Sequence, residues 1–189
     1  HKLTISDGAE VRVGGVLGLF RPTPSEWYEL LAPHEVLIDG GTLSVDNLSG
    51  FGNLIWETGT LEITGAAGLT LPSQGSGPLN AIGNFLPEHE QWLHPDSNNL
   101  FGHASLTNLT ITAGQVLKVS NTTTIATGAK ITVLGEFTSD LLKIESGGQF
   151  HVPSGFANHN KIQLNGDDAR LTGDVLTNHG LLRGTGQIE

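Results

Sequence analysis

Leu109 to Val119 reads LTITAGQVLKV: apolar and polar residues alternate, a glycine sits in the sixth place, and the alternation resumes. The same eleven-residue form stands at Leu3–Val13 (LTISDGAEVRV) and at Leu142–Val152 (LKIESGGQFHV). It returns at Thr123–Val133 (TTIATGAKITV), with Thr123 in place of the first apolar residue. Ten-residue forms, VLIDGGTLSV from Val36 and LIWETGTLEI from Leu54, drop one residue after Gly41 and Gly59 but keep the alternation on both sides. A degenerate copy, IQLNGDDARL, starts at Ile162, and the last, VLTNHGLLRGTGQIE, starts at Val175. Alternation with period two is the mark of a half-buried strand. Each copy therefore predicts a short strand, a corner and a second short strand.

Glycine suits the corner because it reaches positive φ without steric cost. The corner glycines predicted from the pattern are Gly8, Gly41, Gly59, Gly114, Gly128, Gly147 and Gly166. A tight hairpin is the rival reading, but hairpins favour two-residue NG or DG loops, and the corners TAGQ, ATGA and ESGG lack them. Coils of ~20 residues instead fit a solenoid, in which each turn stacks on the one below at about 4.8 Å. The fold expected is all-β: a right-handed parallel β-helix (β-solenoid) forming one domain over residues 1–189, the hand following the general rule for parallel crossovers. About nine coils would make a rod of roughly 40 Å. Its inward ladder runs through Leu3, Ile5, Val11, Val13, Ile38, Leu43, Val45, Leu61, Ile63, Leu109, Ile111, Leu117, Val119, Ile131, Val133, Leu142, Ile144, Phe150 and Val152.

Two segments break the rhythm and read as insertions, at 16–35 and 72–103. In the first, TPSE (Thr23–Glu26) predicts a helix start, with Thr23 as N-cap, Pro24 as first helical residue and Glu26 closing a capping box. The short α-helix runs through Leu31. The second is rich in Pro, Gly and Asn and too long for an ordinary connection. Trp27, Tyr28 and Trp92 lie in these insertions and are the candidate ligand-binding residues, as platforms for sugars. Trp56 is a fourth aromatic of this kind. The alternative is that these rings pack the insertions onto the solenoid.

Composition narrows the chemistry. A net charge of -10 makes nucleic acid an unsuitable partner, because phosphates demand a basic face. No apolar run is long enough for a membrane helix, so no membrane insertion is expected. With no cysteine there is neither thiol catalysis nor a cysteine-ligated metal site. His89, His94, Asp96 and His103, with Glu88 and Glu90, have no metal-ligand spacing and read as a polar loop. Asp167 and Asp168 read as turn residues rather than an acid–base pair, as do Asp7, Asp39 and Asp46. Thr110, Thr112, Thr122, Thr124 and Thr132 fall at uneven distances from the corners, against a flat ice-binding array. A polysaccharide-degrading enzyme would need carboxylates or Lys/Arg on one face of successive coils, and the sequence displays no such cluster. No cofactor, no metal and no enzymatic activity are expected.

The tail NHGLLRGTGQIE (Asn178–Glu189) resembles repeats of exported bacterial β-helix surface proteins: autotransporter passengers, filamentous-haemagglutinin-like adhesins and PEP-CTERM-type proteins. The resemblance implies an extracellular or cell-surface location and a structural or adhesive role. The chain stops at Glu189 without a polar cap, so the expected partners are further solenoid coils, or copies of itself stacked end to end as a filament. Glycans are the remaining candidate partner, through the aromatic insertions.

Overall fold

The computed structural model describes residues 2–19, 35–50, 53–71 and 108–189, and every regular element among them is a strand. The strands follow a three-sided path. Face A carries β1 (Lys2–Ser6), β3 (Glu35–Asp39), β5 (Asn53–Trp56), β8 (Asn108–Ile111), β10 (Lys130–Val133), β12 (Gln149–Val152) and the second half of β14 (Lys161–Gly173). Face B carries the first halves of β2 (Glu10–Leu19) and β4 (Thr42–Gly50), then β6 (Gly59–Ile63). It continues with the first halves of β9 (Gln115–Ile125) and β11 (Glu136–Glu145), then β13 (Phe156–Asn158) and β15 (Leu176–Asn178). Face C carries the second halves of β2 and β4, then β7 (Leu69–Leu71) and the second halves of β9 and β11. The first half of β14 and the start of β16 (Leu181–Ile188) complete it.

All ladders between the described strands are parallel, which excludes the hairpin reading. Leu142 lies beside Thr123 and Ile162 beside Leu142, steps of 19 and 20 residues. The described residues form a parallel β-solenoid of about six turns, against the nine coils counted from the sequence. The excess arises because the repeated phrase marks more than one corner of each turn. LTITAGQVLKV bends from face A to face B, while TTIATGAKITV and LKIESGGQFHV bend from C to A. The final copy bends from B to C. At about 4.8 Å per turn the stack is roughly 30 Å along its axis.

The interior is one column of apolar side chains, in which successive turns set Leu43, Leu61 and Leu117, or Ile131, Phe150 and Leu171, side by side. Phe150 is fully buried, its ring 5.2 Å from that of Phe137 and 5.4 Å from that of Phe156. Three residues of the expected ladder sit at the first turn with less cover: Leu3 is exposed, and Val11 and Val13 are half-buried. Trp56 is buried, its indole N–H donating to Gly59 O at 3.1 Å, so it belongs to the core and not to a sugar platform. Of the first expected insertion, Val16–Leu19 and Glu35 prove to be strand. The helix expected from Thr23 and the rest of both insertions lie outside the described residues.

Candidate functional site

The corners come first, because they set where outward side chains stand. Gly8, Gly59, Gly114, Gly128, Gly147 and Gly166 all have φ between +74° and +127°. In the second turn the left-handed residue is Gly40 (φ +83°) rather than Gly41. Gly41 is needed for another reason: a Cβ there would lie 2.6 Å from Ile5 Cγ2 of the turn below. The paired glycines of IDGG thus divide two tasks, the bend and the close approach.

The corner between faces B and C carries a polar spine that runs the length of the stack. Gly15 N donates to Asp46 Oδ2 at 2.8 Å, and Thr64 Oγ1 to Asp46 Oδ1 at 2.7 Å. Asn121 Nδ2 reaches Thr64 O, Ser139 Oγ donates to Asn121 O at 3.0 Å, and Asn160 Nδ2 donates to Ser139 O at 3.0 Å. Asn158, buried, accepts from Asn160 N and donates to Asn178 Oδ1 at 2.6 Å; Asn178 Nδ2 then reaches Gly180 O. Thr123, fully buried, donates to Ser139 Oγ at 2.9 Å. These side chains satisfy backbone groups that the bend leaves without ladder partners. The imidazoles of His159 and His179 stack outside the spine with centroids 5.0 Å apart.

The residues proposed for chemistry are dispersed. Asp167 and Asp168 are exposed on the C-to-A corner. Asp39 accepts from Thr58 Oγ1 at 3.3 Å, and Arg12, hydrogen-bonded to Glu10, has its pKa raised by that contact. No cluster of three or more His, Asp or Glu suited to a metal is present among the described residues. His89, His94, Asp96 and His103, and the candidate ligand-binding residues Trp27, Tyr28 and Trp92, lie outside the described residues. The points where their segments leave and rejoin are defined: β2 ends on face C and β3 begins on face A, and so do β7 and β8. Both insertions are therefore rooted on the same C-to-A edge.

Threonine does not form an extended array on the described faces. On face A, Thr110 and Thr132 are neighbours, but His151 takes the next place and hydrogen-bonds Thr172 at 2.8 Å. On face C, Thr70 and Thr124 are followed by Lys143.

Face C does hold a cluster that the sequence reading missed. Lys143, Lys161 and Arg183 project from three successive turns. Lys143 stands beside Gln163, Gln163 beside Arg183, and Lys161 between Leu141 and Leu181. Arg183 Nε and Nη2 donate to Gln163 Oε1 at 3.2 and 2.7 Å, and Gln163 Nε2 donates to Asn165 Oδ1 at 2.6 Å. Asn165 Nδ2 reaches both oxygens of Glu145 at 3.1 Å, and Lys143 Nζ lies 3.3 Å from Glu145 Oε1. The result is a hydrogen-bonded polar sheet, in which Lys161 and Arg183 have no carboxylate partner among the described residues. Lys and Arg far apart in the sequence are thus brought onto one face of successive coils by a 20-residue turn.

The fold and these surfaces define a class, the parallel β-solenoid with polar faces and a hydrogen-bonded corner spine. Comparison with models of known protein families, with curated proteins and with solved structures finds no match.

Proposed function

We propose that the chain is a structural module, an extracellular β-solenoid segment of a bacterial surface, matrix or filament protein. The observation that carries this reading is the continuity of the stack: parallel pairing passes from β2 through β4, β6, β9, β11 and β14 to β16 along faces B and C, beside a single apolar column and the corner spine. Each turn makes contact only with its neighbours, so length and stiffness grow with the number of turns. A right-handed winding is the expected one for parallel crossovers. Leu3 in the first turn and Ile188 in the last face inward, in register with the buried Val36 and Leu171, yet stay exposed. This supports continuation by a further rung, whether of the same polypeptide or of a second copy stacked end to end. The resemblance of the tail to exported β-helix proteins supports the surface location.

Antibody labelling of intact cells that make the native protein tests the location, with labelling expected before permeabilisation. Labelling only after permeabilisation would overturn it. Negative-stain microscopy tests the architecture, with rods or end-joined rods expected and round particles at all concentrations opposing it. A second reading, a glycan-binding adhesin, is favoured by the rooting of both aromatic-bearing insertions on one edge. It requires glycan-array binding that Trp92→Ala abolishes.

A further inference from the structure

We propose that face C of the last three turns binds a linear acidic polysaccharide, a chain bearing about one carboxylate per sugar ring, laid along the solenoid axis. The face concentrates positive charge on a chain whose formal net charge is -10. It holds Lys143, Lys161 and Arg183 against one carboxylate, Glu145, which Lys143 already meets. Lys161 is exposed and makes no hydrogen bond or ion pair among the described residues. Arg183 is oriented by a neutral amide rather than by an acid, so its charge is held in place without being neutralised. Solvent-exposed cations with no counter-charge are available to an incoming anion.

The geometry selects the type of anion. Lys161 and Arg183 stand on adjacent turns, so two uncompensated positive charges lie about 4.8 Å apart along the axis and two residues apart across the face, with Lys143 and its partner Glu145 one turn before them. Duplex DNA presents a phosphate every ~1.7 Å and would meet the negative field of the whole chain with far higher charge. A polyuronate carries its charges more sparsely and adds hydroxyl groups. Gln163, Asn165 and the exposed Thr185 stand between and beside the cations to exchange hydrogen bonds with them. The Gln163–Asn165–Glu145 network fixes these amides beforehand, which lowers the ordering cost of binding. The exposed aspartates Asp140, Asp167 and Asp168 flank the face at its two corners and disfavour a ligand lying across the turns.

The test is calorimetric titration of the full chain at low salt with three probes of matched length: oligogalacturonate, an uncharged cello-oligosaccharide and a single-stranded oligonucleotide. Oligogalacturonate is expected to bind, and the other two are not. The double variant Lys161→Gln/Arg183→Gln should weaken oligogalacturonate binding roughly tenfold and flatten its salt dependence. Lys118→Gln, on face B, should leave it unchanged. Thermal melting of the double variant checks its fold. Should removal of the Arg183 contacts lower its melting point, Lys161→Gln alone decides, because that side chain has no partner to lose; a several-fold loss is then expected. Absence of oligogalacturonate binding, equal binding by wild type and Lys161→Gln, or preference for the oligonucleotide would each overturn the proposal.

Discussion

Phe150→Ala is the sharpest probe of the stacked interior. The ring is fully buried, lies between Ile131 and Leu171 of the adjacent turns, and contacts Phe137 and Phe156. Burying a phenyl side chain removes about 150–200 Å² from water, or ~4 kcal/mol at ~25 cal/mol per Å². Measured losses for Phe→Ala in cores, ~3–5 kcal/mol, agree. The cavity cannot close readily, because the rungs above and below are pinned by ladder hydrogen bonds. With a urea slope of about 2 kcal/mol per molar, a loss of ~4 kcal/mol lowers the unfolding midpoint by about 2 M. The assay is equilibrium urea denaturation followed by circular dichroism. Leu134→Ala is the comparison, since Leu134 is 50% exposed and its truncation should cost under ~1 kcal/mol. If Phe150→Ala shifts the midpoint no more than Leu134→Ala does at unchanged slope, Phe150 does not sit inside a column of stacked rungs.

Three further outcomes follow from the same geometry. Ser139→Ala strands the buried hydroxyl of Thr123 and opens the spine at Asn121, so a loss of about 1–3 kcal/mol is expected in the same denaturation assay. Gly114→Val places a branched side chain at φ +85° beside Thr58 Cγ2, and should cost at least ~1–2 kcal/mol, read as a lowered melting temperature. Thr110→Cys/Thr132→Cys joins outward neighbours on adjacent parallel strands, within the Cα separation a disulfide accepts. Rapid oxidation to a monomer resistant to urea is expected, and persistence of free thiols under mild oxidant would contradict the register.

The sequence carried the strands and their parallel stacking because period-two alternation around a glycine is a local signal, written out each time the chain bends. The number of turns was illegible for a physical reason. Gly114 bends the chain from A to B while Gly128 and Gly147 bend it from C to A, and nothing local separates one corner from another. The spine was hidden because Thr123 reads as an interruption of the apolar ladder and Ser139 and Asn158 fall between the repeated phrases, although all three are buried and satisfied. Asn158 and Asn178, 20 residues apart and paired, were the visible clue to it. The cationic face was hidden because Lys143, Lys161 and Arg183 are separated along the chain and converge only once the turn length is known. Trp56 misled in the opposite sense, since its indole lies inside, tied to Gly59 O.

Both long interruptions leave the solenoid from the C-to-A edge, in the first and third turns, and so the other two edges stay free of departures through all the described turns. That arrangement makes the edge a ruler. A guest epitope spliced between Asp167 and Asp168 would emerge in file with the natural departures. Its distance from a second guest placed at Gly147 would be set by one turn, about 4.8 Å at the root. Display spacing could then be graduated by choosing turns rather than by designing linkers.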